Sequence, residues 1–261
     1  MSRQESGVDF ALNPPSTLLS PRLLQAADWV RPGVSVADIG TDHGYLCAHI
    51  ACKRQEAGGG KQENEVLPLA SRPLLLACDI AEKPLQNAAR TLERYGLIGH
   101  VELRLSDGLD SVEPCEADDI LMLGMGGTLI ARLLDRCGWI KDGSKRLILQ
   151  PMSRAEELRV WLCENGFEII EEAAVREGRR LYVLIRAVYV KDRLKTFPYG
   201  YEYFGELPKA GMPEAGLILE RTAARLGKKS RALEEAGKNK EAEESKSLAL
   251  MVNMCYNEAE H

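Results

Sequence analysis

Between residues 34 and 166, short apolar runs alternate with helix-forming segments. Parallel strands need crossover connections of this kind, because a tight turn can join only antiparallel neighbours. Strands buried on both faces of a sheet read as apolar runs without a polar side. The sequence therefore predicts an α/β fold built on a doubly wound, mostly parallel sheet. Strands are expected at 34–39, 74–80, 101–105, 119–124 and 146–150, and helices at 21–30, 45–54, 82–95, 128–137 and 155–166.

The end of this region breaks the alternation. Two strand-like runs, 167–177 and 179–190, are joined through Gly178 and leave no room for a helix between them. They are expected to form an antiparallel pair at one edge of the sheet. A dehydrogenase-type Rossmann sheet is parallel throughout, whereas the Rossmann-like sheet of class I, S-adenosylmethionine-dependent methyltransferases carries an antiparallel last strand. The pair therefore favours the methyltransferase sheet.

Composition changes divide the rest of the chain. Residues 1–19 are interpreted as a flexible N-terminal arm, and 54–73, with three consecutive glycines and two prolines, as an insertion loop in a main domain that spans 20–190. Residues 191–261 are expected to form a small helical domain. Within it, 214–258 is rich in Ala, Glu, Lys and Leu and is interrupted near Gly237, which predicts two antiparallel helices.

Several classes of protein are disfavoured by composition. No apolar run approaches the roughly 20 residues of a membrane span, and the first 20 residues lack the apolar core of an export signal. The seven cysteines contain no C-x-x-C pair, which favours reduced core thiols over disulfides or a metal site. The expected location is the cytoplasm, without membrane or metal. A net charge of -5 argues against a charge-driven nucleic-acid coat protein, although a local basic face can still bind one RNA.

The turn after the first predicted strand has the spacing D-x-G-x-D-x-G, which begins at Asp38 and ends at Gly44. In parallel α/β sheets, ligands bind beyond the carboxyl ends of the strands, and glycines let the backbone approach them. Carboxylates repel a pyrophosphate but attract a sulfonium that carries an α-amino group. Asp38 and Asp42 therefore favour a cationic ligand over a dinucleotide.

Acidic residues also follow the next two strands. Asp79 ends the second strand and is expected to accept from ribose hydroxyls, while Asp107 follows the third and is placed to accept from an adenine amino group. A single acid at a strand end is weak evidence, because Asp often caps a helix. Three acids after three successive strands, on the same edge, predict S-adenosylmethionine as the cofactor.

At this point several motifs can be compared with a known family. In order, VADIGTDHGYL, LACDI, RLSDGL, LGMGGTLI and RLILQP resemble those of the bacterial tRNA (adenine-22-N1)-methyltransferase family. The resemblance spans about 20 to 190. It implies a Rossmann-like methyltransferase domain followed by a helical, coiled-coil-like C-terminal domain. It also implies transfer of a methyl group from S-adenosylmethionine to N1 of an adenine in tRNA.

Carried over by position, the resemblance implies a cofactor site and a catalytic cluster. Gly124 to Gly127 stand where many amino-methyltransferases carry N-P-P-Y. An adenine N1 already has a free in-plane lone pair, so attack needs no prior deprotonation and catalysis reduces mainly to alignment and exclusion of water. The implied cofactor residues are Asp38, Gly40, Asp42, Asp79, Ile80, Asp107, Gly108, Gly124, Met125 and Gly126, and the residues at the reacting base are Asp42, His43 and Tyr45. Two of these have plainer alternatives, since His43 can cap a helix and Tyr45 can be a packing residue.

The RNA contacts are predicted in two places. Gly127 and Gln150 are expected at the rim that holds the target base. In the first C-terminal helix, Arg221, Arg225, Lys228 and Lys229 fall at helical spacing on one face and predict a grip on tRNA. The alternative is a solvated charged face, which such spacing also produces.

Three other functions stay open on the sequence. The first is methylation of a protein or a small molecule with the same cofactor pocket, and the second is a non-catalytic module that binds the cofactor or RNA. The third, a nicotinamide dehydrogenase, is disfavoured because G-x-G-x-x-G is missing. The oligomeric state is expected to be a monomer or a weak dimer.

Overall fold

A computed structural model describes residues 15–58, 74–192 and 196–259. The sheet contains seven strands in the order β3-β2-β1-β4-β5-β7-β6. In chain order the elements are α1 Pro21–Trp29, β1 Val36–Ile39, α2 Tyr45–Gly58, β2 Leu75–Asp79, α3 Glu82–Arg94, β3 Glu102–Leu105, β4 Asp119–Gly126, α4 Gly127–Asp135, β5 Arg146–Ser153, α5 Ala155–Glu164, β6 Phe167–Glu177, β7 Arg180–Tyr189, α6 Tyr201–Phe204, α7 Pro213–Glu235 and α8 Asn239–Ala259.

The predicted mixture of parallel and antiparallel strands is confirmed. Strands β1 to β5 pair in parallel, and β7 lies antiparallel between β5 and β6. The hairpin turn contains Gly178 at φ 58°, a left-handed conformation that glycine adopts without steric cost. Strands β4 and β5 continue two and three residues beyond the predicted ends at 124 and 150, because their pairing extends to Gly126 and Ser153.

Two apolar layers explain the uninterrupted apolar strands. One face of the sheet packs against α4 and α5 around Ile130 and Leu158, and the other packs against α1 and α2 around Ala26 and Leu46. The middle strand β4 contributes Ile120 and Met122 to the first layer and Leu121 to the second. A strand covered on both faces has no solvent side, so no polar alternation appears in its sequence.

Two predicted boundaries need correction. The last five residues of the N-terminal arm are not free, because Pro15–Leu18 forms a 3-10 helix next to α2 and the Leu19 side chain is buried. The predicted insertion at 54–73 begins too early, since α2 continues to Gly58. The remainder of the arm, 1–14, and of the insertion, 59–73, lies outside the described residues.

The C-terminal helical pair is confirmed. Apolar side chains such as Leu226 and Val252 form its core, and Ala174 of β6 joins them. Two buried hydroxyls connect the helices, because Ser230 donates to the carbonyl of Ala242 and Ser245 donates to that of Leu226, each at 2.9 Å. The pair therefore has its own core and is also packed against the edge strand of the sheet.

A buried ion pair joins the helical region to the domain that contains the sheet. Arg159 of α5 donates to both oxygens of Glu172 on β6, with Nε–Oε1 at 2.7 Å and Nη2–Oε2 at 3.0 Å. The same two side chains hold the connecting segment, since Arg159 also donates to the carbonyl of Glu202 and Glu172 accepts from the Glu206 amide. A side chain at Gly205 would overlap both charged groups, so only glycine fits there.

Removal of one partner of this pair is expected to destabilise the fold strongly. The change Arg159→Met leaves Glu172 buried without a counter-charge, which costs about 3–5 kcal/mol of unfolding free energy. Urea denaturation measures this loss. The matched control is Lys238→Met, which breaks an exposed pair with Glu241 and should change stability by less than about 1 kcal/mol. Similar losses in both variants would contradict the assigned role of the buried pair.

Candidate active site

The predicted site residues meet at one edge of the sheet. Because β1 to β4 run parallel, the turns that follow them all leave from the same side. Those turns carry the predicted acids and glycines. The geometry of each turn is set by a small number of packing contacts and hydrogen bonds.

The turn after β1 is tightly constrained. Gly40, Asp42 and Gly44 all have positive φ, at 81°, 51° and 69°. A side chain at Gly40 would overlap the Met125 side chain, and a Cβ at Gly44 would lie 2.8 Å from that of Ala88. Glycine is favoured at both positions because of its positive φ, and at Gly44 also because a Cβ would crowd Ala88. The shape of this turn therefore accounts for the two glycines of D-x-G-x-D-x-G.

Asp38 lies at the bottom of this turn and is 3% exposed. Burial raises its pKa from 3.8 to about 6, since the charged form loses its solvation. The Cys47 thiol approaches its Oδ2 at 3.7 Å. Thr41 is close enough to lower the pKa of Asp38, yet its buried Oγ1 lacks a hydrogen-bond partner of acceptable geometry. A buried carboxylate beside an unsatisfied hydroxyl is suited to a polar, cationic ligand group.

The three residues predicted at the reacting base lie together on the rim. His43 Nε2 lies 3.6 Å from Asp42 Oδ1, and both side chains are exposed. The rings of His43 and Tyr45 stack, with centroids 5.6 Å apart and planes 23° from parallel. The result is an exposed carboxylate next to a pair of flat rings.

The acids after β2 and β3 are both partly engaged by the protein. Asp79 Oδ1 accepts from the Ala81 amide at 2.9 Å in a local turn that precedes α3, while Ala81 rather than Asp79 is the N-cap residue of that helix. Next to it, Ile80 exposes 68% of its surface. Arg136, which the sequence reasoning missed, donates to the Asp107 carboxylate at 3.0 Å and to its carbonyl at 2.8 Å. This contact orients the Asp107 side chain.

Gly108 and Gly127 are glycines for packing reasons. A Cβ at Gly108 would lie 2.9 Å from Leu133 Cδ2, and one at Gly127 would overlap the carbonyl oxygen of Arg154. Both glycines are buried. The predicted contact of Gly127 with RNA stays a prediction.

Gln150 is also placed differently from the prediction. Its side chain is 1% exposed, and its Oε1 accepts from the Gly124 amide and from Arg22 Nε, each at 3.1 Å. Arg22 is held in turn by Glu177, with Nη1–Oε2 at 2.6 Å, and by the ring of Tyr182. Direct contact of Gln150 with RNA does not fit its burial. The side chain instead supports the backbone of β4 at Gly124. No local sequence signal pointed to Arg22.

Comparison with protein families identifies the family to which this domain belongs. A model described as a methyltransferase domain matches residues 19–185. This range includes the whole sheet except the end of β7. The chain belongs to the methyltransferase domain family.

Individual relatives of this methyltransferase domain are more specific. A curated tRNA (adenine(22)-N(1))-methyltransferase of Bacillus subtilis is 33% identical over 169 residues, which is 65% of this chain and 64% of that protein. The chain thus spans less than two thirds of that relative's length. A crystal structure of the B. subtilis m1A22 tRNA methyltransferase is 27% identical with a TM-score of 0.73, and covers 90% of this chain and 98% of the other. A Streptococcus pneumoniae structure in complex with S-adenosyl-L-methionine is 27% identical with a TM-score of 0.67, at 90% and 99% coverage.

The edge of the methyltransferase domain fits the predicted cofactor in three respects. Carboxylates stand at the ends of β1, β2 and β3, the Thr41 hydroxyl is unsatisfied, and an apolar surface at Ile80 lies beside Asp79. Over 15–58, 74–192 and 196–259, no cluster of potential metal ligands is found. In the same ranges no helix is both long and apolar enough for a membrane span.

The basic residues of α7 are exposed, as the prediction of an RNA face requires. One of them is already engaged, because Arg225 Nη1 lies 2.9 Å from Glu156 Oε1 at the start of α5. The Arg225 side chain therefore already has a protein partner, and the RNA face of α7 stays a prediction. Two of them, Arg225 and Lys229, line a cleft with residues of the catalytic domain.

The raised pKa of Asp38 gives a testable dependence of stability on pH. The folded state favours the protonated carboxyl, so this stabilisation is complete below about pH 4 and is lost as pH rises through the folded pKa of about 6. A pKa raised from 3.8 to about 6 corresponds to about 3 kcal/mol. Asp38→Asn, which cannot ionise, should therefore gain about 3 kcal/mol relative to the parent between pH 4 and 7.

The measurement is urea unfolding of the cofactor-free protein at pH 4, 5, 6 and 7. The matched control is Asp42→Asn in the same turn, whose side chain is 73% exposed. It should keep the pH profile of the parent. Parallel profiles for the parent and Asp38→Asn would contradict the burial argument.

Proposed function

We propose that this protein transfers a methyl group from S-adenosylmethionine to N1 of adenine 22 in tRNA. The observation that carries the proposal is the set of acid-bearing turns after β1, β2 and β3, gathered on one edge of a sheet with an antiparallel β7. The substrate is supported by the curated relative, whose name specifies this base and this position. Two solved structures above 25% identity with the same architecture add to this support.

The cofactor would lie across the three acidic turns. The Asp38 carboxylate, ionised at neutral pH, and the free Thr41 hydroxyl would receive the amino-acid end, with Gly40 allowing close approach. Asp79 would accept from the ribose, and Asp107, oriented by Arg136, would accept from the adenine amino group. A cationic ligand near Asp38 stabilises its ionised form, which offsets the cost of burying that charge.

The target base would enter beside the irregularity in β4 at Gly124, where the pairing register with β5 shifts. Gly124 has a positive φ, and a side chain there would meet only open space, so this part of β4 presents backbone rather than side chains. The stacked rings of His43 and Tyr45 offer a flat surface for the base. The Gly124 amide is held by Gln150, which fixes the backbone that borders the base.

The chemistry needs alignment more than proton transfer. When bound, S-adenosylmethionine supplies an electrophilic methyl group whose bonding electrons remain with sulfur. The N1 lone pair forms the new bond, so no proton has to leave before attack. The methylated adenine then carries a positive charge, which the Asp42 carboxylate on the rim would stabilise. In this mechanism no residue acts as a general base.

The proposed substrate also bears on where the protein acts. A tRNA-modifying enzyme acts in the cytoplasm, which agrees with the expectation from the sequence. The oligomeric state stays a prediction of a monomer or a weak dimer.

The proposal is tested by incubation of the protein with S-adenosylmethionine and an unmodified tRNA transcript. After digestion to nucleosides, mass spectrometry should show 1-methyladenosine, and sequencing by reverse-transcription stops should place it at position 22. The variant Asp42→Ala should lower the rate roughly 10- to 100-fold, because a preorganised charge at the cationic product is lost. Asp28→Ala, an exposed acid on α1, should keep the rate of the parent.

Other outcomes have definite meanings. If S-adenosylmethionine binds but no methylated nucleoside forms, the tRNA assignment fails and a protein or small-molecule substrate replaces it. If NADH binds and S-adenosylmethionine does not, the methyltransferase assignment itself fails. An equal loss of rate in Asp28→Ala and Asp42→Ala would contradict the specific role of Asp42.

A further inference from the structure

A cleft of about 370 Å³ lies between α5 of the catalytic domain and α7 of the helical region. Its size falls within the range of small-molecule sites, which matches one nucleotide unit. The lining combines three cations, three carboxylates and an apolar floor with one tyrosine. The lining residues are Arg154, Glu156, Glu157, Val160, Glu202, Tyr203, Arg225, Leu226 and Lys229.

One wall of this cleft is continuous with the candidate active site. Arg154 directly follows β5, and its carbonyl oxygen is the group that a side chain at Gly127 would overlap. The Arg154 side chain pairs with Glu157 at 2.7 Å, and Glu157 also accepts from the Thr128 hydroxyl at 2.7 Å. The start of α4 therefore contacts this wall through the Gly127 backbone and the Thr128 side chain.

The opposite wall belongs to α7. Arg225 pairs with Glu156 across the cleft, while no ion pair of Lys229 is found among the described residues. The face of four cations predicted from the sequence is thus divided by the fold. Arg225 and Lys229 line the cleft, whereas Arg221 and Lys228 are exposed but do not line it.

The two ion pairs of this cleft allow an arginine to exchange its glutamate partner for a phosphate. Both ion pairs are open to water, with side-chain exposures of 65% and 43% for Arg154 and Glu157, and of 58% and 24% for Arg225 and Glu156. Exposed pairs of this kind contribute little to stability. A phosphate can therefore take the place of a glutamate as partner of either arginine without a large loss to the fold.

We propose that this cleft binds the RNA strand next to the target adenosine, with Arg154, Arg225 and Lys229 on its phosphates and Glu156 as a competitor that holds Arg225 until RNA arrives. The inference rests on the proposed function and adds a location and a mechanism for the RNA grip. RNA is favoured over a free anion because the cleft connects the catalytic rim to α7, and a strand can follow that path. Tyr203 supplies a ring against which a neighbouring base can pack.

Opposite charges in one cleft give opposite expected effects. Affinity for an unmodified tRNA transcript is measured by fluorescence anisotropy at several salt concentrations. Arg154→Gln and Lys229→Gln should each raise Kd about 3- to 10-fold and reduce the salt slope by about 0.7 to 0.9, the value for one lost phosphate contact. Glu156→Gln should lower Kd about 2- to 5-fold, since it frees Arg225 and removes a charge that repels phosphate.

Matched controls come from the same helix. Lys228→Gln and Arg221→Gln remove one cation each from α7 outside the cleft, and both should change Kd less than twofold. S-adenosylmethionine affinity, measured by calorimetry, should be the same in all variants, which shows that each one is folded.

Three results would overturn the proposal. Equal weakening by Lys228→Gln and Lys229→Gln would mean a diffuse basic face, and weaker binding of Glu156→Gln would remove the competitor role. Unchanged tRNA affinity in Arg154→Gln and Lys229→Gln, with the parent still forming 1-methyladenosine, would refute the cleft alone. A parent that neither binds nor methylates tRNA would refute the proposed function and the cleft together.

Discussion

The parallel pairing of β1 with β2 and β4 is the constraint on which the rest of the structure depends. It sends every following turn to one edge, so residues as distant in sequence as Asp38 and Asp107 come to serve one ligand surface. It also forces the strands to be covered on both faces, which leaves few polar positions in the core. Asp38 is one of the few, and its raised pKa reflects the cost of a carboxylate placed at the end of a buried strand.

Local patterns predicted most of the fold and part of the site. The alternation of apolar runs and helical segments predicted a mostly parallel sheet, and the missing helix after residue 166 predicted the antiparallel pair. Both predictions succeeded because they depend on residues that are neighbours in sequence. The contacts that orient the site were not predictable in this way. Arg22 reaches Gln150 across 128 positions, and Arg136 reaches Asp107 across 29, so only the folded chain brings these partners together.

Glycine is an ambiguous signal in this sequence. A Cβ at Gly108 would crowd Leu133 and one at Gly127 would overlap Arg154, so packing accounts for both glycines whether or not a ligand approaches them. Gly124 has a positive φ but faces open space. The structure is needed to tell a glycine required by a close neighbour from one required by backbone conformation alone.

The buried pair of Arg159 and Glu172 has a consequence for how substrates are discriminated. Because it fastens the segment before α7 to the sheet, the helical pair stands at a fixed distance and angle from the catalytic rim. The catalytic rim and the helical pair, held at a fixed separation, can both contact a molecule of matching dimensions but cannot close on a smaller one. Selection among folded RNAs would then rest on their overall dimensions, and a short oligonucleotide that carries the right base would be a poor substitute for the whole molecule.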